Sequence, residues 1–141
     1  VINSCTQLAK RNNSNIALLL LDLDNFKQAN DNAGHAAGDE VLLAVANTLR
    51  NTLRASDQMF RFGGDEFAVL LIDQEADSAE LVARRVVKAI NQHHICQEYQ
   101  VSVSAGLAIL KPEQDKMQLF NAADNALYQA KNAGKSTVRV A

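Results

Sequence analysis

The pattern of apolar and polar residues predicts short strands separated by longer helices. A continuous apolar run at residues 16–21 is bounded by polar clusters on both sides, and its length favours a buried central strand. Alternating apolar and polar residues over 97–110 predict another strand, and residues 137–140 predict a last short one. Two further apolar stretches flank Gly63-Gly64, which predicts a tight β-hairpin whose two turn glycines both adopt positive φ.

Apolar residues at helical spacing predict the remaining elements. Residues 2–12 have the pattern of a short helix, and Asp24 is predicted to be the N-cap of a second short helix that reaches Asp31. Three long helices are predicted over residues 39–54, 76–91 and 115–133. This order indicates an α+β fold, with a ferredoxin-like or palm-like sheet of about five strands and helices on one face.

Composition and charge narrow the class of protein. The chain has 141 residues, enough for a single domain over residues 1–141 with a sizeable core. Its net charge of −2 gives no electrostatic reason to expect nucleic acid or an anionic membrane surface as a partner. The longest strand-like apolar run is too short to span a bilayer and no signal-peptide pattern opens the chain, so we expect a cytoplasmic domain without direct membrane contact. Cys5 and Cys96 lack metal-ligand spacing and are expected to be unpaired thiols.

Three acidic residues stand at the ends of predicted strands. Asp22 follows the first strand, and Asp65 and Glu66 follow the glycine turn, so the three carboxylates converge if these elements are neighbours. Taken singly, Asp22 could cap a helix and the turn acids could face solvent. Carboxylates without His or Cys nearby suit Mg²⁺ or Mn²⁺ rather than zinc. Because Mg²⁺ held by few protein ligands usually carries substrate phosphates, the three acids together suggest a nucleotide site.

Other polar residues fit a nucleotide. Phe26-Lys27 lies at a predicted helix start, where backbone N–H groups can hold phosphate. Lys131 and Lys135 end the last long helix, where lysines either complement the helix dipole or contact phosphate. Asn30 and Asp39 flank a glycine-containing segment, and a carboxylate can accept the two parallel hydrogen bonds that guanine donates. By itself, Asp39 equally fits the N-cap or first turn of its helix.

Several motifs follow one another in order from near residue 16 to near residue 136. They are Asp22-Leu23-Asp24-Asn25-Phe26-Lys27-Gln28-Ala29-Asn30-Asp31, Gly34-His35, Gly38-Asp39, Arg61-Phe62-Gly63-Gly64-Asp65-Glu66-Phe67, Ser104-Ala105-Gly106 and Ala123-Asp124-Asn125-Ala126-Leu127-Tyr128-Gln129-Ala130-Lys131. This ordered set closely resembles the GGDEF family of bacterial diguanylate cyclases. A lone glycine turn of this kind would be a weak signal, whereas the whole set at this spacing is highly specific.

The resemblance implies a fold like that of class III nucleotidyl cyclases and polymerase palms. It also implies a reaction in which two GTP molecules condense to cyclic di-GMP with loss of two pyrophosphates. Each domain would hold one GTP and two metal ions, Mg²⁺ or Mn²⁺, and a homodimer would place each 3′-hydroxyl against the other α-phosphate. Since the chain contains no sensory or dimerising module, we expect this piece alone to be slow or inactive.

The resemblance also assigns roles to individual residues. Asp22 and Asp65 would bind the metal with help from the Leu23 carbonyl, and Glu66 would be either a metal ligand or the group that helps deprotonate the 3′-hydroxyl. Asp65, Glu66 and Lys27 form the implied catalytic set. The residues implied to bind substrate are Phe26, Lys27, Asn30, Asp39, Gly63, Gly64, Lys131 and Lys135.

A product-inhibition site is implied as well. Arg54-Ala55-Ser56-Asp57 resembles the RxxD motif through which family members bind cyclic di-GMP. Arg85, or alternatively Arg84, would be the second arginine of that site. Both residues of the motif also have ordinary local explanations, because Arg54 ends a predicted helix and Asp57 lies in a turn.

Two departures from the family pattern matter. The family usually carries a DxLTxLxNR segment before its first helix, which is absent here, so we expect a fragment or trimmed domain. Near its end the family usually has Gly-Arg-Asn, where this chain has Gly134-Lys135-Ser136. Lysine keeps the charge of arginine but loses its bidentate fork, which weakens the phosphate contact expected of Lys135.

Two other functions remain open from the sequence. The chain could be a non-catalytic receptor that binds cyclic di-GMP through Arg54 and Asp57, or a GTP-binding regulatory module attached to another enzyme. Asp65 and Glu66 argue against a pure receptor, which has no need of them. Product formation separates the cyclase from both alternatives.

Overall fold

A computed structural model of the protein describes residues 15–141. The predicted helix over residues 2–12 and Cys5 lie outside the described residues. The elements in chain order are β1 (Ile16–Asp24), α1 (Phe26–Ala33), α2 (His35–Thr52), β2 (Gln58–Arg61), β3 (Glu66–Ile72), α3 (Ala76–Gln92), α4 (His94–Glu98), β4 (Ser102–Ile109), α5 (Lys116–Asn132) and β5 (Val138–Val140).

The five strands form one mixed sheet in the order β2-β3-β1-β4-β5. The central strand β1 is antiparallel to both neighbours, β3 and β4, and β4 is parallel to the edge strand β5. This confirms the predicted α+β, palm-like fold with β1 at its centre. The strand runs three residues further than predicted, to Asp24, because its polar end continues to pair with Ser104 and Ser102 of β4.

Helices cover both faces of the sheet, so the prediction of helices on one face was wrong. Odd-numbered residues of β1 such as Leu19 pack with α1 to α4, and even-numbered ones such as Leu18 and Leu20 pack with α5. Burial on both faces explains why β1 is apolar without alternation. Because strand side chains alternate, the even positions that follow, Asp22 and Asp24, lie on the α5 side.

Two predicted helix starts were also wrong. Asn25, not Asp24, occupies the N-cap of α1, with a left-handed backbone at φ 66° and no side-chain hydrogen bond, while Asp24 belongs to β1. Helix α2 begins at His35, directly after Gly34 at φ 92°, so Asp39 lies in its second turn rather than at its cap. Glycine tolerates this positive φ, which lets α1 and α2 follow each other with a single residue between them.

The strand predicted over residues 97–110 begins only at Ser102. Residues before it form the short helix α4, whose Cys96 is buried in the core with a free thiol. Gln100 then adopts φ 57° and turns the chain into β4. Within residues 15–141, no helix has the length and apolar character needed to cross a membrane.

Candidate active site

The ends of β1 and β3 bring the predicted carboxylates together. Asp22 lies directly opposite Glu66 in the antiparallel register, and Leu23 N donates a 3.0 Å hydrogen bond to the Asp65 carbonyl. Because opposite residues of neighbouring strands project from the same face, Asp22 and Glu66 share the face that α5 covers. The three acids thus lie at one end of the sheet, as the sequence predicts.

The hairpin between β2 and β3 differs from the predicted tight turn. Neither Gly63 nor Gly64 has positive φ, and the connection spans residues 62–65. Phe62 N donates to the Glu66 carbonyl at 3.1 Å, and Arg61 Nη2 donates to the Gly64 carbonyl at 2.9 Å. A Cβ at Gly63 would lie 3.0 Å from Glu66 Oε1, so this glycine leaves room for the carboxylate. A glycine is therefore needed at position 63 because the Glu66 carboxylate occupies the space of a Cβ, and not because the backbone adopts positive φ.

Lys131 of α5 lies between two carboxylates of β1. Its Nζ is 3.2 Å from Asp22 Oδ2 and 3.2 Å from Asp24 Oδ1. Burial lowers the pKa of Lys131, but Asp22 and Asp24 outweigh this effect and the net direction is upward. Burial raises the pKa of Asp22, Lys131 lowers it, and the charges of Asp65 and Asp24 raise it further, with a net rise. The ammonium therefore remains charged and offsets part of the negative charge of the site.

Glu66 also lies in an acidic environment. Burial raises the pKa of Glu66, and the neighbouring charges of Asp22, Asp65 and Asp124 raise it further. Asp124 belongs to α5, and its place beside the hairpin was not predicted from the sequence. Its position inside the last matching motif was the one available signal.

Asp24 belongs to this site, although the sequence predicts it to be the N-cap of α1. Its carboxylate is buried and accepts hydrogen bonds from Ser104 Oγ at 2.7 Å, Ser102 Oγ at 3.1 Å and Ser136 N at 3.2 Å, besides its contact with Lys131. The spacing of Asp22 and Asp24 by two was the signal, because residues i and i+2 of a strand share one face.

The residues at this end of the sheet fit an oxygen-binding divalent cation. Within residues 15–141, no three His, Cys, Asp or Glu side chains are already gathered in a metal-binding arrangement. Burial and the neighbouring carboxylates nevertheless raise the pKa of Asp22 and of Glu66, which means that the like charges repel one another. A cation relieves that repulsion, and a set of hard oxygen donors without His or Cys suits Mg²⁺ or Mn²⁺.

The predicted guanine and phosphate residues lie on α1, α2, α5 and the loop after α5. A Cβ at Gly38 would collide with Asn30 Oδ1 and lie 3.4 Å from the Phe26 ring, so this glycine lets α2 pass close to α1. Lys27 is exposed in the first turn of α1, and Lys135 is exposed with φ 66°. A groove of about 510 Å³ beside α2 is lined by Asp39, Leu42, Leu43, Ala46, Arg50, Met59, Arg61 and Phe67.

The predicted inhibitory motif forms a local clamp at the end of β3. The Asp57 side chain is 1% exposed and accepts hydrogen bonds from Arg54 N at 3.0 Å and Ile72 N at 3.1 Å. Arg54 Nη2 donates to the Ile72 carbonyl at 2.6 Å while 54% of its side chain stays exposed. Arg84 is paired with Glu80 at 2.9 Å, whereas Arg85 is exposed and has no ion pair within the described part of the chain.

Comparison with known proteins gives a consistent set of matches. A family model described as diguanylate cyclase, GGDEF domain, matches residues 2–137. The chain is 39% identical over 132 residues to the diguanylate cyclase DgcS of Shewanella oneidensis, covering 94% of this chain and 44% of DgcS. It is 41% identical over 128 residues to the probable diguanylate cyclase DgcE of Escherichia coli K12, covering 88% of this chain and 12% of DgcE. The chain therefore spans less than half the length of these relatives.

A solved structure shows the same fold. The GGDEF domain of DgcB from Caulobacter crescentus, in complex with c-di-GMP, matches with a TM-score of 0.90 at 26% identity. The match covers 99% of this chain and 85% of the DgcB chain.

Proposed function

The chain belongs to the diguanylate cyclase GGDEF-domain family, and we propose that it condenses two GTP molecules into cyclic di-GMP with release of two pyrophosphates. The observation that carries this proposal is the arrangement of Asp22 opposite Glu66, with the Lys131 ammonium 3.2 Å from Asp22. The two carboxylates can bind metal ions, and the ammonium beside them can bind phosphates. The arrangement therefore suits a nucleotide substrate that brings both.

Divalent cations, two Mg²⁺ or Mn²⁺ ions per half-site, would supply charge neutralisation for the phosphates when bound. Asp22, Asp65 and the Leu23 carbonyl would hold them. Glu66 would either join these ligands or accept the proton of the 3′-hydroxyl, and its raised pKa suits the second role, because a base must be able to take up a proton. Gly63 leaves space at Glu66 for either role.

The remaining predicted residues would bind and orient GTP. Asn30 and Asp39 would read the guanine edge, and the groove that Asp39 lines has room for a base. The backbone at Phe26 and the side chains of Lys27, Lys131 and Lys135 would hold the phosphates. Gly64, which has open space at its Cβ position, would let the backbone approach them. The described chain supplies one such set of residues, so the second GTP would come with a second copy.

Product inhibition would use Arg54, Asp57 and Arg85. Both oxygens of Asp57 are occupied by backbone N–H groups, so its role would be to hold the exposed Arg54 in place. Exposed Arg85 would supply the second guanidinium. In the test, Arg54→Ala should weaken cyclic di-GMP binding about ten-fold or more, while Arg139→Ala, which removes an exposed arginine of β5, serves as the matched control. Equal product affinity in the wild type and Arg54→Ala would exclude this site.

The activity is tested directly by turnover. The chain fused to a dimerising coiled coil is incubated with GTP and Mg²⁺, and cyclic di-GMP and pyrophosphate are measured. We expect two pyrophosphates for each cyclic di-GMP, and Glu66→Gln should lose most of the rate. A folded, dimeric fusion that binds GTP and forms neither product would exclude the cyclase and leave the regulatory GTP-binding module. Tight cyclic di-GMP binding without GTP binding would instead indicate the receptor.

A further inference from the structure

Asp24 is a buried carboxylate whose two oxygens have different kinds of partner. The residue is 2% exposed. Its Oδ2 accepts hydrogen bonds from Ser104 Oγ at 2.7 Å, Ser102 Oγ at 3.1 Å and Ser136 N at 3.2 Å. Its Oδ1 is 3.2 Å from Lys131 Nζ. One oxygen is therefore fixed by the scaffold, and the other is aimed at an ammonium.

The scaffold that holds Asp24 is itself linked together. Ser136 Oγ donates to Ser102 Oγ at 2.6 Å, and Ser136 N lies 3.2 Å from Ser104 Oγ. Ser136 stands in the turn after α5 and has φ 54°. Since an unpaired buried charge is costly, these donors lock the orientation of the carboxylate and tie the end of α5 to β4.

Asp22 and Asp24 differ in how freely they can change partner. Within the described residues, the Asp22 carboxylate has Lys131 as its hydrogen-bonding partner, and it is partly exposed. Asp24, in contrast, is held by the three hydrogen bonds that its Oδ2 accepts from Ser104, Ser102 and Ser136. If Asp22 turns to another cation, Lys131 loses one of its two carboxylates and keeps the other.

We propose that Asp24 is a positioning residue that holds Lys131 Nζ at the substrate site when Asp22 leaves it, a role that rests on the proposed function. Charge-assisted hydrogen bonds of this kind are strong and directional. Lys131 has a flexible stem whose freedom costs binding energy if it is not restrained beforehand. Restraint by Asp24 therefore favours phosphate binding without Asp24 touching the substrate.

The first test observes the ammonium itself. In protein labelled with ¹⁵N-lysine, the Lys131 NH₃⁺ signal, assigned by its loss in Lys131→Arg, should exchange with water more slowly than that of exposed Lys88. Adding Mg²⁺ should leave this signal protected, because Asp24 remains its partner. If the Lys131 ammonium of the wild-type protein exchanges as fast as that of Lys88, the proposal is overturned. This outcome can be read without an Asp24 variant.

The second test removes the negative charge of Asp24. Asp24→Asn keeps the shape but removes the charge, and the protected Lys131 signal should disappear in the presence of Mg²⁺. Ser104→Ala is the matched control, because it removes one of the three donors to Asp24 Oδ2 and keeps the charge, while Ser102 Oγ and Ser136 N still hold the carboxylate. The signal should persist there, and equal loss in both variants would show a merely structural role.

The third test separates binding from chemistry. Asp24→Asn should raise KM for GTP about ten-fold and change kcat less, and it should add little in a Lys131→Ala background. An equal effect in the presence and absence of Lys131 would overturn the proposal. If the wild type forms no cyclic di-GMP, the proposed function fails, and the ammonium exchange measurements still decide whether Asp24 holds Lys131.

Discussion

At the residue scale, Asp22 interacts with both the positive and the negative groups of the site. It lies opposite Glu66 and pairs with Lys131 at 3.2 Å, and burial and neighbouring carboxylates raise its pKa although Lys131 opposes the rise. We therefore expect Asp22 to bind a metal ion, because a divalent cation neutralises more of the surrounding negative charge than an ammonium does.

The variant Asp22→Asn tests this role through metal dependence. We expect Mg²⁺-dependent GTP binding to weaken by about a hundred-fold or more, while residual binding in EDTA changes little, because Lys131 stays in place. Calorimetric titration with and without Mg²⁺ measures both quantities. Asp77→Asn, an exposed acid on α3, is the control. Unchanged Mg²⁺-dependent binding in Asp22→Asn would contradict the metal assignment.

A second residue-scale prediction concerns Cys96. Burial raises the pKa of its thiol from 9.0 to about 11, so the reactive thiolate is about a hundred-fold scarcer at pH 8 than in the unfolded chain. A Cys5→Ser variant leaves Cys96 as the sole thiol. Labelling at pH 8 should therefore be at least a hundred-fold slower in the native protein than in urea.

The same shift has a consequence for stability. Because the folded state keeps the Cys96 proton more tightly than the unfolded state, stability from this group is intact below about pH 9 and falls as the pH rises towards 11. Equal labelling rates in native protein and urea would contradict both statements.

Asp22, Asp65 and Glu66 were predictable because each adjoins an apolar stretch, Asp22 after the run at residues 16–21 and the other two before the run that forms β3. Asp24, in contrast, was not placed correctly. An acid before a short helix ordinarily reads as an N-cap. Its actual partners, Ser104 and Ser136, are far away in the sequence, and only the three-dimensional register brings them to it. Local pattern carries no information about such contacts.

At the element scale, the contact between α5 and β4 sets the position of Lys131. Gly106 of β4 faces the helix, where an added Cβ would collide with the backbone at Ala123 and Leu127. The helix begins with a capping box, in which Asp115 accepts from Gln118 N at 2.9 Å and Gln118 accepts from Asp115 N at 3.0 Å. Close approach of backbones here brings the end of α5 to the carboxylates.

The variant Gly106→Ala should therefore destabilise the fold. Backbone atoms cannot rotate away as a side chain can, so we expect a loss of about 1–3 kcal/mol in the free energy of unfolding, measured with urea. Gly64→Ala, which meets open space and has no positive φ, should change stability by about 0.5 kcal/mol or less. Equal stability of both variants would mean that α5 can shift away without cost.

The elements themselves were predicted with uneven success, for physical reasons. Long helices such as α3 and α5 have a clear apolar face, and their observed bounds lie close to the predicted ones. The short helix α4 was missed because Tyr99 and Val101 continue the alternation of β4, and only the positive φ at Gln100 separates them. The side on which a helix packs was also not predictable, because a fully apolar β1 is compatible with either face.

At the scale of the whole molecule, the proposed reaction joins two GTP molecules, and we propose that each copy of the chain holds one of them. The described residues supply one Asp22–Glu66 pair and one Lys131, which is one half-site. Association of two copies should therefore limit the rate of the isolated chain.

Concentration dependence tests this expectation. Below the dimer dissociation constant, the rate per mole of chain should rise linearly with protein concentration, because two copies must meet for each turnover. Fusing a parallel two-stranded coiled coil before residue 1 replaces that encounter with an effective concentration in the millimolar range, so the rate should become independent of concentration and rise by roughly 10²–10⁴. Light scattering confirms the oligomeric state, and the fusion carrying Asp22→Asn should be dimeric but inactive. An unfused chain that stays monomeric and turns over GTP at a concentration-independent rate would contradict the two-copy reaction, because it would require both substrates on one chain.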